Sequence, residues 1–237
     1  CDASTGFRAW AWAGLVTALA IGLRSQAMWL AVPLFGVALL PTIRAGARGA
    51  VTGAVAGLAV GGLAWVVPLV AASGGPSAYL AALRVQGTED FTGVDMLYRN
   101  PTALRLALGL FQTFVLPWVS LPLALVVIGL ASVGTVWLAR RRPAALGWLA
   151  VAFGPYALFH LLFHETVTTR YALPLVPPVA GLASFGTWVI ARRLQPAVVL
   201  VLVAVSLSIV VPAGLAYTAE GSPIERAITA MASRAAA

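Results

Sequence analysis

The feature that most constrains this chain is its sequence of apolar runs, each about 17 to 23 residues long and separated by connections, all but one of them short, that hold nearly all the charge. A run of about that length, wound as a helix, crosses a hydrocarbon core of about 30 Å. Seven such segments are read, over residues 7–23, 27–43, 50–72, 116–139, 145–163, 171–191 and 196–216. Composition agrees: 61% of the 237 residues are hydrophobic and 9% charged, whereas roughly a quarter of a soluble domain is charged. In a bilayer every backbone polar group must be satisfied within its own segment or a closed barrel. The fold class expected is therefore all-α, a polytopic transmembrane helical bundle of about seven spans.

The charges also give an orientation. Arg44 with Arg48, Arg140 to Arg142, and Arg192 with Arg193 occupy short connections that contain no acid. By the positive-inside rule these are cytoplasmic. The alternate connections carry Glu89, Asp90, Asp95, Glu165, Glu220 and Glu225, six of the seven acids, and are expected outside. Residues 1–216 read as one transmembrane domain with an outer loop at 73–102, and 217–237 as an extracytoplasmic C-terminal segment that is cut short. The chain opens on Cys1 without a starting Met. That cysteine suits either a lipidated mature end or an upstream cut, and the second fits a cytoplasmic first end. A single cysteine excludes an internal disulfide framework.

The net charge of +8 does not point to nucleic acid, because the arginines form short clusters with no basic face and no interleaved aromatics. All fifteen basic residues are Arg, a bias that fits a GC-rich bacterial genome and a bacterial plasma membrane. Residues 7–43 are nearly one apolar run, interrupted only by GLRSQ, and a hairpin turning at Arg24 keeps the alternation. Gly53, Gly57 and Gly61, spaced by four, line one helical face and let a neighbouring helix approach closely. Pro33, Pro68, Pro122 and Pro155 fall inside spans and are expected to kink them. In the long outer connection, Tyr79, Leu80, Leu83 and Val85 indicate a short interfacial helix. Residues 102–115 either extend the next span or lie flat on the membrane.

Three features carry candidate chemistry. An ionisable residue within an apolar segment is costly, which makes Arg24 a candidate; the alternative is an arginine snorkelling at a helix end. His164, Glu165 and Arg170 lie within seven residues, with Tyr171 opening the following helix, and an arginine there suits a bidentate contact to phosphate. The bland reading is an aromatic belt with a surface Glu165–Arg170 pair. Glu89, Asp90 and Asp95, together with Glu165, offer carboxylates for a general base or a divalent cation, or form a solvated acidic turn. His160 and His164, four apart, share a helical face. The zinc-protease pattern is absent, since Thr166, Val167 and Thr168 follow Glu165, and no metal site is assigned.

GLRSQAMWLAVPL (22–34) and HETVTTRYALPLVPP (164–178) resemble short segments of bacterial GT-C class membrane glycosyltransferases related to protein O-mannosyltransferases. The first resembles their Gly-Leu-x-basic helix break followed by a proline-bearing span, and the second their His/Glu, Arg-Tyr/Phe and Pro segment before a late helix. The resemblance implies an enzyme that takes a sugar from a polyprenyl-phosphate carrier at the outer membrane face and gives it to an acceptor of unknown kind, with no organic cofactor. It makes Arg24 and Arg170 partners of the carrier phosphate, with His164 and Tyr171 near the same cavity. That class places its catalytic acid in the first outer loop. Nothing here matches that loop, so this chain is expected to be the C-terminal portion, with the acid upstream. A lipid-linked sugar flippase or other transporter would use the same arginines and stands as the alternative.

Overall fold

The computed structural model describes residues 3–91 and 96–220, with Ile228 and Met231. No strand occurs among the described residues, which form nine α-helices joined by short 3-10 turns. In order these are α1 (Ala3–Leu23), α2 (Met28–Arg44), α3 (Arg48–Ala72), α4 (Pro76–Phe91), α5 (Ala103–Phe114), α6 (Leu121–Arg141), α7 (Pro143–Phe163), α8 (Val176–Ala191) and α9 (Gln195–Glu220). Seven helical segments are long and apolar enough to cross a membrane: Gly6–Leu23, Ser25–Arg44, Arg48–Ala72, Leu121–Arg141, Pro143–Phe163, Leu173–Ala191 and Gln195–Ala219. They coincide with the seven segments read from the sequence. The protein is an all-α, multi-pass membrane protein.

What is buried shows which solvent the fold is built for. The buried apolar residues are mostly small, including Ala18, Ala50, Ala54, Ala124, Ala131 and Ala183, while long rows of Leu and Val lie exposed along α3, α6 and α9. Apolar side chains facing lipid gain nothing by turning inward, so close backbone packing decides which face is buried. By contacts the chain divides into two compact units, Cys1–Thr113 with Leu138–Pro178, and Phe114–Trp137 with Val179–Ala237.

In the first unit the α1–α3 crossing is set by glycine. A Cβ added at Gly53 would collide with the carbonyl of Phe7, one at Gly57 with that of Ala11, and one at Gly61 would lie 2.8 Å from both Ala18 Cβ and the Leu15 carbonyl. The partner helix contributes Gly14, where an added Cβ would meet the Ala54 carbonyl at 2.5 Å. Spacing of four brings these residues onto one face, and only hydrogen at Cα lets the two backbones approach this closely. The hairpin is as expected: α1 ends at Leu23, Ser25–Ala27 form a 3-10 turn, and α2 starts at Met28. Helix α2 then packs on α7, with the Trp29 and Phe159 rings stacked at 4.8 Å.

The second unit repeats the device. Cβ atoms on Gly134 of α6 and Gly186 of α8 would strike the carbonyls of Leu182 and Leu130, beside a cluster of Leu123, Val127, Ala131 and Ala183. Pro33, Pro68 and Pro155 lie inside helices, as placed from the sequence. Pro122 is different. The span begins at Leu121 rather than 116, because Val119 has φ 64 and ends the preceding turn at Leu116–Trp118. Pro122 therefore sits in the first helical turn, where its missing N–H has no intrahelical partner to lose.

The connection after α3 contains α4, the short helix expected around Tyr79 to Val85, and then α5 as a separate helix. Helix α5 is amphipathic the wrong way round for water. Leu104, Leu106, Leu108, Leu110 and Phe111 are exposed, while Gly109 and Thr113 are buried and Arg105 and Gln112 half-buried. Positions 105, 109, 112 and 113 share one face by helical spacing, so its polar stripe points into the protein.

Candidate functional site

Two grooves in the molecule are almost wholly apolar. One in the first unit, about 230 Å³, is lined by residues of α1 and α3 such as Ala11, Trp12, Leu15 and Val60, with Arg8 at its edge. One in the second unit, about 190 Å³, is lined by Val127, Ala183, Val199 and Leu202 among others. Neither contains an acid or a histidine. The polar chemistry is concentrated elsewhere in the first unit, where the α1–α2 turn meets the C-terminal end of α7.

Helix α7 ends at Phe163 because His164 turns to extended backbone, φ −106 and ψ 154. Thr166 then lies buried, and two 3-10 turns, Thr169–Tyr171 and Leu173–Leu175, lead into α8. Pro174 at the start of the second turn suits a segment with few intrahelical donors. The turn is pinned from two sides. Tyr156, 1% exposed, donates its hydroxyl to the Tyr171 carbonyl at 2.7 Å, and Thr166 donates to the side-chain oxygen of Gln112 on the polar face of α5.

Within this frame four of the residues singled out from the sequence are joined. Arg24 donates its Nε–H to Oε1 of Gln26 at 2.9 Å. Nε2 of Gln26 lies 3.2 Å from Nε2 of His164. The His164 ring stacks on Tyr171 with centroids 4.4 Å apart and planes 21° from parallel. Arg170 closes the series, donating to the Tyr171 hydroxyl at 3.0 Å with its guanidinium 4.9 Å from the ring centroid. Arg24 and Arg170, 146 positions apart, are thus the two exposed ends of one contact chain, Arg24–Gln26–His164–Tyr171–Arg170.

A second branch runs inward. His164 Nδ1 lies 3.1 Å from Nδ1 of His160, and His160 Nε2 lies 3.0 Å from the hydroxyl of Thr113. Tyr156, His160 and Thr113 are the largest fully buried side chains among the described residues. Burial of so many polar atoms is tolerated because each has a partner, and an unmade hydrogen bond there costs about 1 to 3 kcal/mol.

Glu165 is outside this chain. It is exposed and accepts from Thr168 at 3.2 Å, while Arg170 turns to Tyr171, so the Glu165–Arg170 pair considered from the sequence is not the arrangement found. Glu89 and Asp90 fall in the last turn of α4, but their side chains, like the whole of Asp95, lie outside the described residues. Gln26, Thr113, Gln112, Thr166 and Tyr156 were not singled out from the sequence. Two of them have a signal in spacing: Tyr156, His160 and His164 recur every four residues along α7 and its C-cap, and Gln26 follows Arg24 inside the same break.

Chemically, the chain of contacts presents two guanidinium groups on a rigid mount. Arg24 has its inner nitrogen committed to Gln26, which orients its outer nitrogens, and Arg170 has a terminal nitrogen on the Tyr171 hydroxyl with its guanidinium carbon 4.9 Å from the ring centroid. Guanidiniums held in this way suit phosphate or carboxylate. Compared with known proteins, the chain matches no family model, no curated protein and no solved structure.

Proposed function

We propose that this chain is part of a bacterial plasma-membrane glycosyltransferase that uses a polyprenyl-phosphate-linked sugar, with Arg24 and Arg170 as ligands of the carrier phosphate at the outer face. The observation that carries the reading is the contact chain through Gln26, His164 and Tyr171, which ties together two arginines from segments that both resemble the GT-C pattern.

The reaction implied by this reading is a single displacement. The acceptor hydroxyl oxygen bonds to the anomeric carbon of the sugar, the bond from that carbon to the phosphate oxygen breaks, and the phosphate leaves with the electron pair. A base takes the hydroxyl proton. Charge growing on the departing phosphate is where fixed cations in a partly desolvated cleft contribute most. The arginines act on the leaving group, and no carboxylate in the described network serves as the base.

Sugar transfer from a polyprenyl-phosphate donor in proteoliposomes of the full-length protein tests the reaction, with donor titration of R24A and R170A testing the site. Transfer in the native protein and a donor affinity weakened roughly tenfold or more in each folded variant, the scale of a lost charged hydrogen bond, are expected. Movement of the donor across the bilayer without transfer would replace the reading with a flippase. Unchanged donor affinity in both variants would sink the shared phosphate site.

A further inference from the structure

The buried branch of the network plays no part in the proposed reaction, yet the direction of its hydrogen bonds follows from the Arg24 end. Arg24 Nε is a donor only, so the atom of Gln26 that faces it must be the amide oxygen. The Gln26 amide nitrogen then faces His164, and because it too can only donate, His164 Nε2 must accept. A neutral imidazole carries one proton, so it lies on His164 Nδ1 and is given to His160 Nδ1, 3.1 Å away. His160 in turn holds its proton on Nε2 and gives it to the Thr113 oxygen, 3.0 Å away. The opposite direction fails: Thr113 donating inward would leave His164 with a proton on Nε2, pointed at a second donor on Gln26.

We infer that His160 is a positioning residue: wholly buried on α7, it supplies the acceptor that His164 needs in the Nδ1–H tautomer demanded by Arg24 and Gln26, and so lets the Gln26 carbonyl stay on Arg24. The partner on one ring nitrogen selects the state of the other, and burial makes the alternative, an unmatched pair inside the protein, expensive. His160 has no exposed surface and Thr113 is 2% exposed, so neither reaches a ligand. They act through His164. Tyr156, one turn before His160, stacks parallel to it at 6.3 Å and fixes the ring from the side. Only the last step, in which Arg24 meets a phosphate, rests on the proposed function. The tautomer assignment does not.

His160 and His164 are the two histidines of this chain, and their ring nitrogens, labelled with nitrogen-15 in the full protein in lipid nanodiscs, are identified by the signals lost in H160N and H164N. The result expected is opposite tautomers, Nδ1–H on His164 and Nε2–H on His160, assigned by their different ring couplings. A native His164 that is Nε2–H or doubly protonated would overturn the inference. H160N keeps an oxygen where His160 Nδ1 stood and is expected to retain Nδ1–H on His164. H160L removes the acceptor and leaves Nδ1–H unmatched inside the protein, so His164 is expected to change to Nε2–H, with the Gln26 amide turned to accept from it and its exposed contact with Arg24 given up. If both variants lower thermal stability while His164 stays unchanged in H160L, His160 is only a packing residue and the inference fails. Should H160L not fold, the native and H160N spectra decide. Titration with polyprenyl monophosphate is kept as a separate arm: a shifted tautomer with unchanged affinity upholds the positioning role and counts against Arg24 as a phosphate ligand.

Discussion

Gln26 and His164, 138 positions apart in sequence, meet side chain to side chain at 3.2 Å. This contact joins the turn of the first helical hairpin to the end of α7, and it is what places Arg24 in the same network as Arg170. Gln26 is suited to it because an amide offers an acceptor to Arg24 and a donor to His164 at once, from two separate atoms.

That dual role can be tested by charge at constant shape. Q26E retains an acceptor for Arg24, strengthened by charge, but replaces the donor to His164 with a second acceptor. The Glu form should pull a proton onto His164 Nε2 and turn the inner hydrogen bonds around or break them. Q26L loses both contacts. Histidine ring spectra should therefore change in both variants. The stability loss in Q26L should be about 1 to 3 kcal/mol, since its part-buried partner is left unmet, as measured by thermal unfolding in detergent. Unaltered spectra in Q26E would mean that the amide does not direct the network.

The α1–α3 crossing yields a paired prediction. At Gly57 an added Cβ would run into the Ala11 carbonyl, whereas at Gly62, on the same helix, nothing lies within 4 Å. G57A should force the helices apart and cost about 1 to 3 kcal/mol. G62A should be neutral or stabilising by up to about 1 kcal/mol through helix propensity. Unfolding of the two variants side by side separates a packing effect from a general intolerance of larger residues on this helix.

How much of this was legible beforehand follows from what hydropathy can register. Arg24, His164, Arg170 and Tyr171 interrupt or border apolar runs, so each stands out where it occurs. Thr113, Gln112 and Thr166 do not: a short neutral polar side chain barely changes the hydropathy of a window, and its meaning is fixed by a partner 47 or 54 positions away. Spans were readable because bilayer thickness fixes their length. The start of α6 was not, since the break lies at Val119 with φ 64, inside the apolar LPWVSLP stretch where neither charge nor glycine announces it. The glycine crossing was visible as a spacing of four, but its partner face on α1, with Phe7, Ala11, Leu15 and Ala18, has no comparable pattern.

Orientation is a third prediction. With Cys1 replaced by Ser, single cysteines at Ala47 and at Ser77, both exposed positions, should label from opposite sides of the membrane with an impermeant thiol reagent. Ala47 lies between Arg44 and Arg48, which the positive-inside rule places in the cytoplasm, and α3 separates the two positions by one crossing. Labelling of both from one side would refute that α3 spans and would reverse the reading of every connection after it.

The two arginines should not respond alike to lysine, because they use different atoms. Arg24 is anchored through Nε, the nitrogen nearest its stem. Lysine has only methylene there, so R24K loses the Gln26 contact and its ammonium is left without a fixed direction. Arg170 is anchored through a terminal nitrogen on the Tyr171 hydroxyl, and a lysine ammonium can approach that oxygen as a point charge. R170K is therefore expected to keep more donor affinity than R24K, by roughly threefold to tenfold, the worth of one modest hydrogen bond. Y171F should remove the difference, since it deletes the hydroxyl that either side chain at 170 would hold while leaving the stacking on His164 in place. The measurement is a titration of polyprenyl-phosphate sugar against R24K, R170K, Y171F and the Y171F/R170K pair, each checked for native unfolding temperature. Equal losses in R24K and R170K would show that total positive charge, and not the geometry set by Gln26 and Tyr171, governs the interaction.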